Sequence, residues 1–182
     1  VRLSEDPNGS YNPCIAVSNE YVHVIWWETR HTPFEIYYKR STDNGTTWGI
    51  ETRLTNDTTG SYNPTLVASE ANVHVFWEAL YGTAFIMYKH STDYGSTWST
   101  DTALTIQPEY WSVSPSSASN DSAVHIVWTE FRDNEYGEIY YKRNLTANVG
   151  IEEHSGQIIS NYKPKATIVR NALFLSTAMS KE

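Results

Sequence analysis

The sequence predicts an all-β protein, a β-propeller of antiparallel four-stranded blades with three full repeats and a partial fourth. A unit of about fifty residues recurs along the chain, which indicates a repeat fold. Each unit holds short segments rich in Val, Thr, Tyr and Trp, the residues that suit a pleated, half-buried surface. We find no segment with helical periodicity, so the repeated unit is a sheet.

Two segments recur at a spacing of 51 residues. Residues 10–13 (SYNP) return 51 positions later as residues 61–64, and residues 22–26 return at 73–77 and again at 124–128. Residues 1–182 are therefore predicted to form one propeller domain or propeller fragment. Its parts are a lone outer strand at 1–4, repeats at about 5–55, 56–105 and 106–157, and a partial repeat at 158–182.

Each unit divides into four predicted strands. The second strand is apolar on both faces, with Val22, Val24 and Trp26 on one face and Ile25 and Trp27 on the other. Apolar residues on both faces indicate a sheet that packs between two neighbouring sheets, as in a propeller. A two-sheet β-sandwich would not repeat at this spacing. The predicted strands are 14–18, 65–69 and 116–119; 21–28, 72–78 and 123–130; 35–40, 85–90 and 138–143; and 51–55 and 101–105.

Composition excludes several classes of function. The formal net charge of −8 disfavours binding to nucleic acid, and no apolar run approaches the ~20 residues that span a bilayer. The single cysteine, Cys14, leaves no intramolecular disulfide and no Cys-based metal site. We expect no cofactor and no bound metal.

Two loops between the third and fourth strands share the pattern S-x-D-x-G-x-x-W. In such a loop Ser and Asp oxygens accept backbone N–H groups, Gly takes a backbone angle that other residues resist, and Trp packs back on the sheet. The pattern residues are Ser41, Asp43, Gly45 and Trp48, and Ser91, Asp93, Gly95 and Trp98.

These two loops resemble the Asp-box (BNR) repeat of the sialidase-like β-propeller family. The resemblance covers almost the whole chain. It implies that the loops lie on the outer part of each blade, away from a substrate pocket, and are structural. In the third unit Asn144, Thr146, Asn148 and Ile151 stand at the pattern positions, so that hairpin must close differently.

The resemblance also implies what a sialidase would need: three arginines for the substrate carboxylate, a Tyr/Glu nucleophile pair and an aspartate. The R-I-P motif of the first arginine is absent. The loop after the second strand does carry candidate ligand-binding residues. One interpretation is a polar or carbohydrate site; the other, which we favour, is ion pairs between blades at an exposed rim. The residues are Glu28, Arg30, Tyr81, Glu130 and Arg132.

Two further patterns have simple interpretations. His23, His74 and His125 share one repeat position, but equivalent residues of different blades lie too far apart to share a metal ion. Five N-x-S/T sequons are candidate glycosylation sites if the protein is exported: Asn8, Asn44, Asn56, Asn120 and Asn144.

Closure of the propeller is the open physical problem. The partial fourth repeat lacks a third strand, and uncovered edges of apolar sheet associate readily. The chain could be a fragment of a larger propeller, complete a ring with copies of itself, or accept a neighbour's strand in a head-to-tail filament. We therefore predict a non-catalytic, extracellular or cell-surface module for binding, with carbohydrate as one ligand class, or for self-assembly. The alternatives are a sialidase-type glycoside hydrolase and a structural filament subunit.

Overall fold

The computed structural model describes residues 1–106, 109–120, 122–132 and 136–144. These ranges contain eleven strands: β1 (Ser10–Ser18), β2 (Tyr21–Glu28), β3 (Glu35–Ser41), β4 (Thr52–Arg53), β5 (Ser61–Ser69), β6 (Asn72–Leu80), β7 (Ala84–Ser91), β8 (Thr102–Ala103), β9 (Trp111–Asn120), β10 (Ala123–Phe131) and β11 (Glu138–Asn144). In the part of the chain so described, we find no helix long and apolar enough to cross a membrane.

The strands form three antiparallel sheets in which chain neighbours pair. Blade 1 has the order β1-β2-β3-β4, blade 2 the order β5-β6-β7-β8, and blade 3 the strands β9, β10 and β11 in the same order. This confirms the predicted all-β class with repeated antiparallel units. The predicted partial repeat at 158–182 and the altered third loop lie, except for Asn144, outside the described residues.

The boundaries of the first and the outer strands differ from the sequence prediction. The first strands begin at Ser10 and Ser61, before the prolines, because Pro13 and Pro64 sit in bulges where the pairing register shifts. A proline without an N–H is tolerated at a bulge and does not end the strand. The outer strands β4 and β8 have two residues each, shorter than the predicted 51–55 and 101–105.

The hydrophobic core lies between the blades. We call the face of a blade that meets the following blade its trailing face, and the face that meets the preceding blade its leading face. The trailing face of blade 1 (Ile25, Ile36, Tyr38) packs on the leading face of blade 2 (Val73, Val75, Trp77). The next interface repeats this arrangement: Phe76, Ile86 and Tyr88 of blade 2 pack on Val124, Ile126 and Trp128 of blade 3.

A lysine fastens each blade to the chain before it. Lys89 of blade 2 donates to the carbonyl oxygen of Leu54, and Lys142 of blade 3 donates to that of Leu104 at 3.4 Å. In blade 1, Lys39 donates to the carbonyl oxygen of Leu3 at 3.1 Å. Leu3 also packs against the leading face of blade 1, so residues 1–4 occupy the place of a preceding outer strand although they are not paired as one.

Two faces at the ends of the described array are open. On the trailing face of blade 3, Ile139 is 67% exposed and Tyr141 is 46% exposed, whereas Ile86 and Tyr38 at the equivalent positions are 0% and 2% exposed. On the leading face of blade 1, Ile15 of the first strand is 63% exposed. Ile86 and Tyr38 are therefore buried where a following blade covers them. On the leading face of blade 1 the second strand is buried (Val22, Val24, Trp26), and the exposed residue is Ile15 of the first strand.

Replacing equivalent isoleucines in two blades measures the contribution of a neighbouring blade. Ile86→Ala should lower the free energy of unfolding by about 2–5 kcal/mol, because it opens a cavity in a closed interface. Ile139→Ala removes the same atoms from an exposed surface and should cost no more than about 0.5 kcal/mol. Urea unfolding followed by circular dichroism gives both values; equal losses would show that Ile139 is covered.

Candidate functional site

The three first strands of the blades meet at an open cleft that we call the axial cleft. Each strand bulges there through a residue with positive φ: Asn12 at 49°, Asn63 at 46° and Ser114 at 56°. Asn tolerates this left-handed conformation better than most residues. The cleft has a volume of about 440 Å³ and is lined by Asn12, Pro13, Cys14, Asn63, Pro64, Thr65, Ser114 and Pro115.

A chain of polar contacts crosses the axial cleft from blade to blade. Asn12 Nδ2 donates to Asn63 Oδ1, and Asn63 Nδ2 donates in turn to Glu78 Oε1 at 2.9 Å. The same carboxylate oxygen accepts the backbone N–H of Ser114 at 2.6 Å. The sequence analysis missed this network, although the repeated Asn-Pro pair at a fixed spacing was a visible signal.

An aromatic cluster lies at the same end of the first two blades. The ring of Tyr11 stacks on that of Trp27 with centroids 4.6 Å apart, and Trp27 also contacts Phe34 and Tyr62 at 5.3 and 5.6 Å. Tyr11 is exposed and directly precedes Asn12 of the axial cleft. An accessible aromatic ring therefore directly precedes a cleft residue along β1.

The predicted Glu28–Arg30 pair is built into blade 1. Glu28 is fully buried and accepts hydrogen bonds from Ser10 Oγ at 3.1 Å, from Trp26 Nε1 at 2.6 Å and from Arg30. The guanidinium of Arg30 also pairs with Glu51 at 2.6 Å and lies 4.4 Å above the ring of Tyr37. The hydrogen bond with Glu28 raises the pKa of Arg30, so this side chain is a permanent cation.

Blade 3 repeats this arrangement. Glu130 accepts from Ser112 Oγ at 3.0 Å, from Trp128 Nε1 at 2.8 Å and from Arg132, which lies 4.1 Å above the ring of Tyr140. Our favoured interpretation of ion pairs between blades at an exposed rim was wrong. Both pairs lie within one blade, and their carboxylates are buried, because the neighbouring Trp and Ser side chains hold each carboxylate in the sheet.

Tyr81 occupies the corresponding place in blade 2 with different partners. Ala79 replaces the glutamate, and the Tyr81 hydroxyl donates to Asp57 Oδ1 at 2.8 Å. Burial, followed by this hydrogen bond, raises the pKa of Tyr81 to about 12. The structure therefore places the five candidate residues in three separate blades. Of them, Glu130 and Arg132 line a recess of about 280 Å³ where blades 2 and 3 meet.

The loop between β3 and β4 closes on its own side chains. Ser41 Oγ accepts the backbone N–H of Gly45 at 2.8 Å and donates to Asp43 Oδ1 at 2.7 Å. Asp43 also accepts the hydroxyl of Thr47 at 2.6 Å and its backbone N–H at 2.7 Å. These bonds, led by those from Thr47, lower the pKa of Asp43 to about 2.

The equivalent loop between β7 and β8 has the same internal bonds, with Ser91 Oγ 2.8 Å from the Gly95 nitrogen. Burial would raise the pKa of Asp93, but hydrogen bonds from Thr97 and Ser91 lower it to about 2. Both carboxylates are therefore ionised hydrogen-bond acceptors across the neutral pH range.

This second loop also joins blade 2 to blade 1. The Tyr38 hydroxyl of blade 1 lies so close to Gly95 that a Cβ at that position would collide with it, and the ring of Trp98 packs edge-on against Tyr38 at 5.1 Å. Arg40 of blade 1 donates to the carbonyl oxygen of Tyr94 at 2.6 Å and to Ser96 Oγ at 2.8 Å. We call this set of contacts the Tyr–Arg joint.

The repeated histidines pair with tyrosines of the adjacent strand. His23 Nδ1 lies 2.7 Å from the Tyr38 hydroxyl, and His74 and His125 make the same contact with Tyr88 and Tyr141 at 2.8 Å. Burial and the positive charge of Arg40 lower the pKa of His23 to about 4. No group of three or more His, Cys, Asp or Glu side chains that could hold a metal ion occurs among the described residues.

The candidate glycosylation sites lie at the surface or at strand ends. Asn8, Asn44 and Asn56 are exposed loop residues, and Asn44 has a positive φ of 56°. Asn120 ends β9 and accepts the backbone N–H groups of Ser122 and Ala123 through Oδ1, while Asn144 ends β11. Glycosylation at these positions stays a prediction.

Comparison with solved structures shows the fold. A family 117 glycoside hydrolase of the marine bacterium Zobellia galactanivorans matches with a TM-score of 0.54 at 14% identity, over 81% of this chain and 56% of that one. The catalytic domain of a GH62 α-L-arabinofuranosidase from Coprinopsis cinerea matches with a TM-score of 0.50 at 12% identity, over 78% and 49%. Both are propeller-type enzymes, which confirms the predicted β-propeller class.

A sialidase of Trypanosoma rangeli matches at a lower TM-score of 0.46 and 14% identity, over 72% of this chain and 26% of that one. This chain spans about half the length of the glycosidases that head the comparison. No protein-family model and no curated protein matches this sequence. The comparisons thus support the architecture without assigning an activity.

The Tyr–Arg joint can be tested by adding one methyl group at each loop glycine. Gly95 and Gly45 have similar positive φ angles, 77° and 82°, so alanine strains both backbones alike. Only at Gly95 does the new Cβ meet Tyr38; at Gly45 the nearest atom is Cζ2 of Trp48 at 3.9 Å. Gly95→Ala should therefore lower the free energy of unfolding by about 1–3 kcal/mol more than Gly45→Ala. Equal losses by urea unfolding would contradict the joint.

The buried His23 should make stability fall in mild acid. Its folded pKa of about 4 lies below the value of about 6.5 in an unfolded chain, so the unfolded state binds the proton first. The contribution of neutral His23 to the free energy of unfolding is complete above about pH 6.5 and is lost as the pH falls towards 4. From pH 7 to 5, wild type should lose about 2 kcal/mol more than His23→Gln in urea unfolding; identical pH dependence would refute this.

Proposed function

We propose that this chain is a non-catalytic carbohydrate-binding propeller module that acts outside the cell or at its surface. The observation that carries the proposal is the axial cleft, where all three described blades contribute the same bulge. Bulges re-aim side chains and recur next to binding sites. Three equivalent bulges beside one depression favour a ligand held by several blades at once.

The chemistry of the cleft suits a polar, uncharged ligand. Its lining includes the side-chain amides of Asn12 and Asn63, and amides offer both donors and acceptors, as sugar hydroxyl groups require. Positive φ at both residues fixes the backbone from which the amides project. The cleft lining holds no lysine or arginine within the described residues, so an anionic ligand is not favoured.

The aromatic ring that precedes Asn12 supplies the apolar half of carbohydrate recognition. A sugar ring has an apolar face that stacks on an aromatic side chain while its hydroxyl groups bond to polar neighbours, as in mixed ligand sites generally. Tyr11 is exposed and is held by its stack with Trp27, so little side-chain freedom is lost on binding.

The carboxylate at the cleft fits binding better than catalysis. Glycoside hydrolysis uses two carboxylates about 5–9.5 Å apart, one of which must give or take a proton. Glu78 is buried, and one of its oxygens already accepts Asn63 and Ser114. Two propeller neighbours, a family 117 glycoside hydrolase and an α-L-arabinofuranosidase, support carbohydrate as the ligand class.

Removing the cleft amides without straining the backbone tests the proposal. Asn12→Gly and Asn63→Gly keep the left-handed conformation and delete one amide each, while Asn19→Gly makes the same change at an exposed turn with φ of 54°. Cellotriose, xylotriose and sialyllactose serve as probes in calorimetric titrations. Each cleft variant should weaken binding about tenfold, the effect of one lost hydrogen bond of about 1.4 kcal/mol. Asn19→Gly should bind like wild type.

The same titrations distinguish the alternatives. If none of the probes binds, or if binding survives both cleft variants, the axial cleft is not the carbohydrate site. Chromatography of each incubated probe reports cleavage. Turnover that is lost in Glu78→Gln would replace the binding module with a glycoside hydrolase, the second candidate that the propeller neighbours favour.

A further inference from the structure

The Tyr–Arg joint has two halves, and each half is recognisable by itself. The trailing half consists of Tyr38, held by His23, and Arg40 two residues later on the same strand. The loop half consists of the glycine and tryptophan of the S-x-D-x-G-x-x-W loop in the following blade, here Gly95 and Trp98. The joint therefore forms wherever a complete trailing half meets a complete loop half.

Blade 2 lacks a complete trailing half. Its tyrosine is present as Tyr88, but His90 stands where blade 1 has Arg40. The loop that follows blade 3's third strand has also lost the pattern, with Asn144 in place of Ser41 or Ser91. The residue types of both halves are thus altered at the same interface, that between blades 2 and 3.

Blade 3 has a complete trailing half again. Tyr141 is held by His125 as Tyr38 is held by His23, and Arg143 returns at the position of Arg40. Both Tyr141 and Arg143 are exposed, as is Ile139 on the same face. An arginine that is dropped in blade 2 and restored in blade 3 indicates that blade 3 meets a loop half.

Blade 1 has a complete loop half with no tyrosine on it. A Cβ at Gly45 would meet only Trp48 of its own loop, whereas the Tyr38 hydroxyl fills the space beside Gly95. We call this space beside the loop glycine the cradle. Ile15 and Val17 on the same leading face are exposed, although Leu66, the blade 2 equivalent of Ile15, is buried. Among the described residues, this is the intact loop half that no tyrosine fills.

We propose that the trailing face of blade 3 binds the leading face of blade 1 in a second copy of this chain. Tyr141 of one copy lies over Gly45 of the next, and Arg143 donates to the Asn44 carbonyl and the Thr46 hydroxyl. The interface repeats the contacts between blades 1 and 2, so its geometry already exists within the chain. The ionised Asp43 carboxylate on the accepting loop complements the arginine.

The two faces differ, so the association is head-to-tail. A heterologous contact of this kind closes into a ring or continues as a filament, whereas a symmetric contact would stop at a dimer. This inference is independent of carbohydrate binding, since the axial cleft residues take no part in the Tyr–Arg joint. Failure of one proposal leaves the other standing.

Complementary variants of the 182-residue chain test the interface by sedimentation velocity over a concentration series. Tyr141→Ser removes the trailing half, and Gly45→Val fills the cradle of the loop half. Matched controls are Tyr136→Ser, an exposed tyrosine two residues before β11, and Gly82→Val, at a glycine with a φ of 86° and open space around it. Circular dichroism checks that each variant is folded.

Wild type and both controls should associate, while each interface variant alone should remain monomeric, with its dissociation constant raised at least tenfold. An equimolar mixture of Tyr141→Ser and Gly45→Val should form a 1:1 heterodimer and nothing larger, because one intact joint remains. Should Gly45→Val not fold, Thr46→Lys opposes Arg143 with a like charge instead.

Three outcomes would overturn the proposal. Wild type that stays monomeric at every concentration shows that this face is covered within the chain or by a different partner. Association of Gly45→Val alone shows a symmetric contact through blade 3. Failure of the two variants to pair when mixed, with wild type associating, shows that another surface is responsible.

Discussion

The structure depends on the burial of sheet faces against neighbouring sheets. Each second strand is apolar on both sides, as Ile25 and Trp26 illustrate, so each blade needs cover on both of its faces. The same repeat position is fully buried in Ile86, which packs against the following blade, and mostly exposed in Ile139 at the end of the described array. Stability in such an array is a sum of blade and interface contributions. The loops and clusters described above are best understood by which interface they complete.

The proposed binding cleft and the contacts between blades use different parts of the repeat. The outer loops join blade to blade through tyrosine and arginine, whereas the first strands bulge through Asn12, Asn63 and Ser114 and leave a cleft between them. The network that ends at Glu78 connects the three bulges, so the cleft is polar but internally braced. In the carbohydrate binding that we propose, such bracing would hold the amides in place beforehand and lower the entropic cost of binding.

Much of the fold could be predicted because the repeat is a long-range signal that local ambiguity does not obscure. The repeated antiparallel units followed from the repeat, and the two-sided burial of the second strand followed from its apolar residues on both faces. Strand ends were less predictable, because the bulges at Pro13 and Pro64 extend strands through residues that usually interrupt them. The candidate site was less predictable from the sequence than the strand ends. Glu28 and Glu130 were visible as charged residues, but only the packing shows that Trp26 and Trp128 hold them inside a blade.

The lysine bond between blades has an evolutionary implication. One lysine in each blade donates a hydrogen bond to a main-chain carbonyl oxygen, an acceptor that every amino acid possesses. These lysines are Lys39, Lys89 and Lys142. Substitution at the accepting residue therefore leaves the hydrogen bond unharmed, and a newly duplicated unit can attach to its predecessor before its side chains have adapted. Because the acceptor is a main-chain oxygen, this contact sets no requirement on the sequence of the preceding unit. Duplication of the unit is therefore compatible with the contact, as in this chain, whose copies keep their period while their loops have diverged.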